Sequence, residues 1–164
     1  MMNPELQNKI LEKFPVIFQN NPNKLNYENK FDCNDGWYQL IYSLCEKLSE
    51  FSDVNISQFN EKFGKLRVFW NSSCNNEKAK NLIYEYQEKS EKVCEFCGDT
   101  ENSNLYKRGW WRKTLCEVHA REFYKGKYRY NYLCKHCDFN FDYEGELEPF
   151  QCPKCRCEII TKII

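Results

Sequence analysis

Histidine is scarce in this chain of 164 residues, which has only His119 and His136. Both fall inside cysteine-rich spacings, so neither is left over for the histidine-dependent chemistry of HNH-type nucleases. Long hydrophobic runs are missing as well. No stretch of about 18 apolar residues occurs, so no membrane span is predicted. The start, Met1-Met2-Asn3-Pro4-Glu5, lacks the charged n-region and apolar h-region of a signal peptide, and a cytoplasmic protein is expected. There is no glycine-rich phosphate loop, no Ser-His-Asp set and no carboxylate pair at a catalytic spacing. The nucleobase-deaminase pattern fails too: no His-x-Glu precedes the final pair, and Cys152-Pro153-Lys154-Cys155 carries its proline in a different place. Net charge is absent, with 24 Lys and Arg against 24 Asp and Glu. An enzyme is therefore the third-ranked reading, and it would need a site that these patterns do not supply.

Cysteine is abundant, with eleven residues, and the aromatic share is 16%. The aromatics and a hydrophobic share of 41% point to a packed fold rather than a disordered chain. The length suits one domain, or one core with small metal-held appendages. Disulfides are disfavoured in a reducing cytoplasm, so metal ligation is the first explanation for the thiols.

Their spacing agrees. Cys94-Glu95-Phe96-Cys97 and Cys116-Glu117-Val118-His119 are two ligand pairs, each with two intervening residues, and eighteen residues lie between them. Cys134-Lys135-His136-Cys137 and Cys152-Pro153-Lys154-Cys155 form a second set, fourteen residues apart. Each set offers four donors for one tetrahedral Zn²⁺, so two structural zinc ions are predicted; a catalytic zinc would keep one position open. A thioredoxin-like redox role for Cys-x-x-Cys lacks its strand-motif-helix context. His136 competes as a ligand in the second set, and Cys157 is an alternative to Cys155. Cys33, Cys45, Cys74 and Cys157 are otherwise left over, as small buried apolar residues or additional thiols.

The chain is predicted to be α+β: a helix and β-hairpin core over 1–93, a treble-clef-like zinc module over 94–132, and a rubredoxin-like zinc ribbon over 133–164. A helix is predicted over 4–14, capped by Asn3 and with Leu6, Ile10 and Leu11 on one face. Phe14 to Phe18 form an apolar anchor, and the Asn-rich stretch 19–30 a loop. A turn at 31–37 leads into a helix over about 37–51, with Trp37 as a core aromatic rather than a binding anchor. Val54–Gln58 and Leu66–Trp70 read as strands around a turn at Lys62-Phe63-Gly64-Lys65, the second strand covered on both sides. A helix over 77–93 runs directly into Cys94, so the first zinc module is expected to dock on this core. Residues 105–115 read as a hairpin, and Cys116 as the start of a helix. Phe139 to Tyr143 and Glu158 to Ile164 read as strands.

Residues 105–132 carry eight Lys or Arg against two Glu. Lys107, Arg108, Trp110, Trp111, Arg112, Lys113, Arg121, Lys125, Lys127 and Arg129 interleave cations with rings, the composition of a nucleic-acid surface. The competing readings are a protein-contact face, and rings that cover a small zinc module while the cations face the acidic ribbon. Two Zn²⁺ with seven thiolates bring the formally neutral chain to about −3, which disfavours a nucleic-acid coat.

Five motifs occur in order: Phe14-Pro15-x-Ile17-Phe18; Phe31-x-Cys33-x-Asp35-Gly36-Trp37; Glu61-Lys62-Phe63-Gly64-Lys65-Leu66-Arg67-Val68-Phe69; Cys94-Glu95-x-Cys97-Gly98; and Gly109-Trp110-x-x-x-Thr114-Leu115-Cys116-x-x-His119. Across about residues 10–122 this order resembles a group of small uncharacterised zinc-finger proteins encoded by bacteriophages and prophages. The resemblance implies a phage or mobile-element origin and the cytoplasm of a bacterial host. It carries no catalytic residue. The expected function is a zinc-stabilised binding or adaptor protein, a phage accessory protein contacting a host protein, including a defence or regulatory factor. The alternative is nucleic-acid binding through 105–132.

Overall fold

The computed structural model describes residues 1–18, 31–72, 76–108, 111–124, 129–144, 151–158 and 160–163. The predicted loop at 19–30 lies outside these residues. The chain divides into two compact units, Met1–His119 and Ala120–Ile164, and residues 94–119 belong to the first. Among the described residues the protein is α+β, with four α-helices and three small sheets.

Asn3 starts helix α1 (Pro4–Lys13) by accepting the Glu5 amide at 2.8 Å, and Pro4 occupies a position that needs no intrahelical N–H. Ile10 is buried, with Leu6 and Leu11 packed beside it, and Phe14, Ile17 and Phe18 enter the same core through a 3₁₀ turn. The next helix starts one residue later than predicted. Asp35–Trp37 is a 3₁₀ turn, and α2 spans Tyr38–Leu48 with Ile41, Leu44, Cys45 and Leu48 buried. Trp37 is fully buried in the core. Cys33 and Cys45 are buried there too, and burial pushes both thiols well above the ordinary cysteine range, so they act as small apolar residues. Cys74 lies outside the described residues.

Strands β2 (Val54–Lys62) and β3 (Lys65–Ser72) form the predicted hairpin. Its turn residues, Phe63 and Gly64, have φ of 59° and 79°, the mirror-image turn whose twist matches paired strands. A short strand, β1 (Phe31–Asp32), adds in parallel to β2, and Phe31 stacks on Phe59 with ring centroids 5.3 Å apart. Two residues show no alternation, so this strand is invisible in a sequence where 31–37 reads as a turn.

The expectation that the second strand is covered on both sides is corrected. Leu66 is buried and Val68 and Trp70 pack against the core, but Phe69 is 49% exposed. An antiparallel sheet can leave one face to water. Helix α3 (Glu77–Ser90) covers the other face and also caps the sheet's edge. The Leu66 amide donates to Ser90 Oγ at 2.9 Å and the Val68 amide to Gln87 Oε1 at 3.0 Å. These bonds satisfy edge-strand N–H groups that would otherwise recruit another strand.

Strands β4 (Ser103–Arg108) and β5 (Trp111–Cys116) pair antiparallel, and α4 (Glu117–Tyr124) follows directly. In the second unit, β6 (Arg129–Cys134) is central, flanked antiparallel by β7 (Asn140–Glu144) and β8 (Ile160–Ile163). The two outer strands match the predicted ones, whereas 129–132, expected only as the end of the basic aromatic segment, begin the central strand.

Candidate metal centres

The first centre is built on a tight turn. The Cys94 amide donates to Asp99 O and the Gly98 amide to Cys94 O, both at 2.8 Å, and Gly98 takes a φ of 79° to close the loop. Burial acts to raise the Cys94 pKa, but the amides of Cys116, Cys97 and Phe96 donate to its sulfur and leave it lowered. This favours the thiolate a metal needs. Cys116 ends β5 and His119 sits in the first turn of α4, its ring stacked on Phe96 at 5.5 Å.

The donor atoms of Cys94, Cys97, Cys116 and His119 all lie within 4.8 Å of one another. Cys97 Sγ is 3.8 Å from Cys116 Sγ, and His119 Nδ1 is 3.2 Å from Cys116 Sγ and 3.6 Å from Cys94 Sγ. A tetrahedral zinc with metal–sulfur bonds near 2.3 Å has edges of about 3.8 Å between sulfurs and about 3.6 Å from sulfur to nitrogen. The residues fit a four-coordinate metal, with His119 Nδ1 as the nitrogen donor.

This centre is locked onto the N-terminal core. The Gly36 amide donates to Glu95 O at 2.9 Å, the Glu95 amide to Thr114 O at 2.9 Å, and the Thr114 hydroxyl to Gly64 O at 2.6 Å. The Trp37 indole N–H reaches Val93 O at 2.9 Å, immediately before Cys94. Glu95, an intervening residue of the first ligand pair, is fully buried. Its carboxylate accepts from Asn34 Nδ2 at 2.8 Å and from Lys113 Nζ at 2.7 Å, and Lys113 also donates to Glu61 at 2.6 Å. Burial raises the Glu95 pKa, against the pull of Lys113. Lys113 is raised as well: burial acts to lower it, and its two carboxylate partners outweigh that. Sequence reasoning missed Glu95 and Glu61, because a charged residue beside a ligand gives no one-dimensional sign of burial.

The second centre repeats the turn twice. The Cys134 amide donates to Phe139 O at 3.0 Å, the Cys152 amide to Cys157 O at 2.9 Å and the Arg156 amide to Cys152 O at 2.8 Å. Asp138 and Arg156, with φ of 51° and 59°, stand where Gly98 stands in the first centre. The sulfurs of Cys134, Cys137, Cys152 and Cys155 also lie within 4.8 Å of one another. Cys137 and Cys152 are 3.8 Å apart and Cys134 and Cys155 3.6 Å, again tetrahedral edges. His136, the competing donor, is exposed and outside this group. Cys157 is at the centre's margin, with its Sγ 3.1 Å from Cys134 Sγ and 3.2 Å from Cys155 Sγ. Burial acts to raise Cys134, but hydrogen bonds from the Cys157 thiol and the amides of Cys137 and His136 bring it down to about 6.

The basic aromatic residues are only partly described. Trp110, Lys125 and Lys127 lie outside the described residues, and for Lys107, Arg108, Trp111 and Arg129 only the backbone is described, in β4, β5 and β6. Lys113 is held between Glu61 and Glu95, with 13% of its side chain exposed. Arg112 and Arg121 are exposed, and the Arg112 guanidinium lies 5.8 Å from the centre of the Phe63 ring. No family model, curated protein or solved structure matches the chain.

Proposed function

We propose that this is a zinc-stabilised binding or adaptor protein whose two metals are structural. Two complete four-donor sets at tetrahedral spacing support that reading, because no donor position is left for a reacting water. Zn²⁺ is the ion that Cys₃His and Cys₄ sets of this size suit best. The turn–hairpin–helix order of the first centre fits a treble clef, and the paired turns of the second a rubredoxin-like ribbon. The proposed setting is that of a phage accessory protein acting on a protein of its bacterial host.

Protein contact is favoured over nucleic acid by the surface around the hairpin turn. Phe63 and Leu105 are 53% and 51% exposed, Leu105 sits directly over Gly64, and Arg112 lies against the Phe63 ring. Exposed apolar and aromatic side chains beside an arginine are the usual makings of a binding hot spot. Lys113, one of the cations a phosphate-binding face would use, is engaged by two carboxylates instead.

The test is metal content by elemental analysis, followed by binding to single-stranded DNA, duplex DNA and RNA across a salt series. About two zinc per chain, with no nucleic-acid binding at low salt and with partner capture that Phe63→Asp abolishes, is the expected result. Steep salt-dependent nucleic-acid binding would replace the protein-contact reading. Markedly fewer than two metals would remove the structural-zinc reading.

A further inference from the structure

The same turn occurs three times among the described residues, and its last position carries a different residue each time. Asp99, Phe139 and Cys157 each accept the amide of the cysteine five residues earlier, so the three are geometrically equivalent. Asp99 turns its carboxylate to its own loop and accepts the amides of Glu101 and Asn102 at 2.9 and 3.3 Å. Phe139 stacks on Phe141 at 6.1 Å. Cys157 instead places a thiol beside the metal set, 3.1 Å from Cys134 Sγ and 3.2 Å from Cys155 Sγ. Both distances are shorter than the about 3.8 Å edge between sulfurs that share a zinc. Cys157 Sγ thus lies beside two of the four donors, within a small side-chain movement of the position Cys155 takes.

We propose that Cys157 is an alternate ligand of the second centre, exchanging with Cys155, so that this centre holds its metal through five thiols of which four bind at a time. The proposal rests on the reading that Cys134, Cys137, Cys152 and Cys155 hold a metal. Cys155 is the partner in the exchange because it is exposed and two residues away, whereas Cys134 is buried at the end of the central strand. In the exchange the Cys157 thiol loses its proton and forms a metal–sulfur bond. The Cys155–metal bond breaks, and the released thiolate takes up a proton. Charge, coordination number and redox state are unchanged, and neither oxidant nor reductant is required. The first centre has no such neighbour at its equivalent position, since Asp99 is committed to its own turn. The second centre is thus the exchange-competent one.

The experiment loads the full chain with Co²⁺ and reads bound cobalt and the thiolate-to-cobalt charge-transfer absorbance, with the first centre as internal standard. Wild type binding only one cobalt would remove the underlying metal reading, independently of Cys157. With two bound, Cys155→Ala is expected to keep both ions and the full four-thiolate absorbance at the second centre. Cys155→Ala/Cys157→Ala should lose that ion or one thiolate of absorbance, and Cys137→Ala should do the same although Cys157 is intact. A Cys155→Ala protein that behaves like the double variant would overturn the proposal. Cys157→Ala keeps it testable if the Cys155 variant misfolds: its second centre should surrender metal to a chelator several-fold more slowly than wild type, and an unchanged rate would overturn the proposal equally.

Discussion

At the scale of single residues, two glycines differ in what a side chain would meet. A Cβ on Gly36 would lie 2.2 Å from Cys94 O, 2.6 Å from Gly98 N and 2.7 Å from Cys97 N, all backbone atoms of the metal-binding turn. A Cβ on Gly64 would meet Leu105 Cδ1 at 2.3 Å, the end of a side chain that can rotate away, in a backbone with φ of 79°. Gly36→Ala should therefore cost about 3 kcal/mol or more through unrelieved overpacking. Gly64→Ala should cost about 1–2 kcal/mol, mainly from its left-handed backbone. Denaturant midpoints of the two variants check the order, and Gly36→Ala should also weaken the first metal centre.

Lys113 is the other informative residue. Removing it as Lys113→Met strands Glu95 as a buried charge, at a cost of about 3–5 kcal/mol. A charge reversal here would test folding rather than nucleic-acid binding, so Arg112 is the cleaner site for that question. The folded pKa of Lys113 lies above its ordinary 10.5, because its carboxylate partners outweigh burial. Its stabilisation is fully present below that value and is lost as pH rises through the raised one. The stability gap between wild type and Lys113→Met should narrow at alkaline pH, read from urea midpoints on either side of 10.5.

At the scale of elements, the three metal-binding turns share one geometry and close it with unequal residues. Gly98 adopts its φ of 79° freely, whereas Asp138 and Arg156 hold left-handed conformations that L side chains resist. Aspartate tolerates this region better than arginine. Arg156→Gly should therefore stabilise the second centre by about 1 kcal/mol, and Asp138→Gly by less. Resistance of the bound metal to a chelator measures both, and a weaker centre in Arg156→Gly would contradict the argument. The turns themselves were legible in the sequence because each is local, completed within six residues. Strand β6 was not legible, because its role as the central strand depends on β7 and β8, its partners from later in the chain.

For the whole molecule, the two units are held together by different described contacts. The core of Met1–His119 gathers Ile10, Phe31, Trp37, Ile41, Leu44, Phe59 and Leu66, all fully buried. Among the described residues of Ala120–Ile164, the buried apolar set is Ala120, Tyr132, Cys134 and Cys152, two of them candidate metal ligands. The four thiols of this unit come from two separate turns, so a metal held between them would contribute directly to its folding. Chelation should abolish amide protection in β6, β7 and β8 while α1, α2, α3, β2 and β3 keep theirs, with local loosening at Cys94–Gly98. Hydrogen exchange with and without chelator checks this, and retained protection in the second unit would show that apolar packing alone holds it.

What the sequence by itself determined was the set of candidate metal donors. Spacings of two residues within a pair place two sulfurs around one ion through local turn geometry, whatever surrounds them. Helix α1 with its Asn3 cap, the Phe63-Gly64 turn and the helical spans of α2 and α3 were legible for the same reason, since each depends on neighbours a few residues away. Only the tertiary structure decided which charged residues are buried and how they meet the candidate metal centres. Glu95, Glu61 and Lys113 come together from three separate segments, and Gly36 meets the Cys94 turn across about sixty residues of chain. Cys157, which the sequence already offers beside Cys155, lies 3.1 Å from Cys134 Sγ across the β6–β8 pairing, with Ile160 opposite Cys134. These contacts depend on distances in space between segments far apart in the chain, which local spacing does not encode.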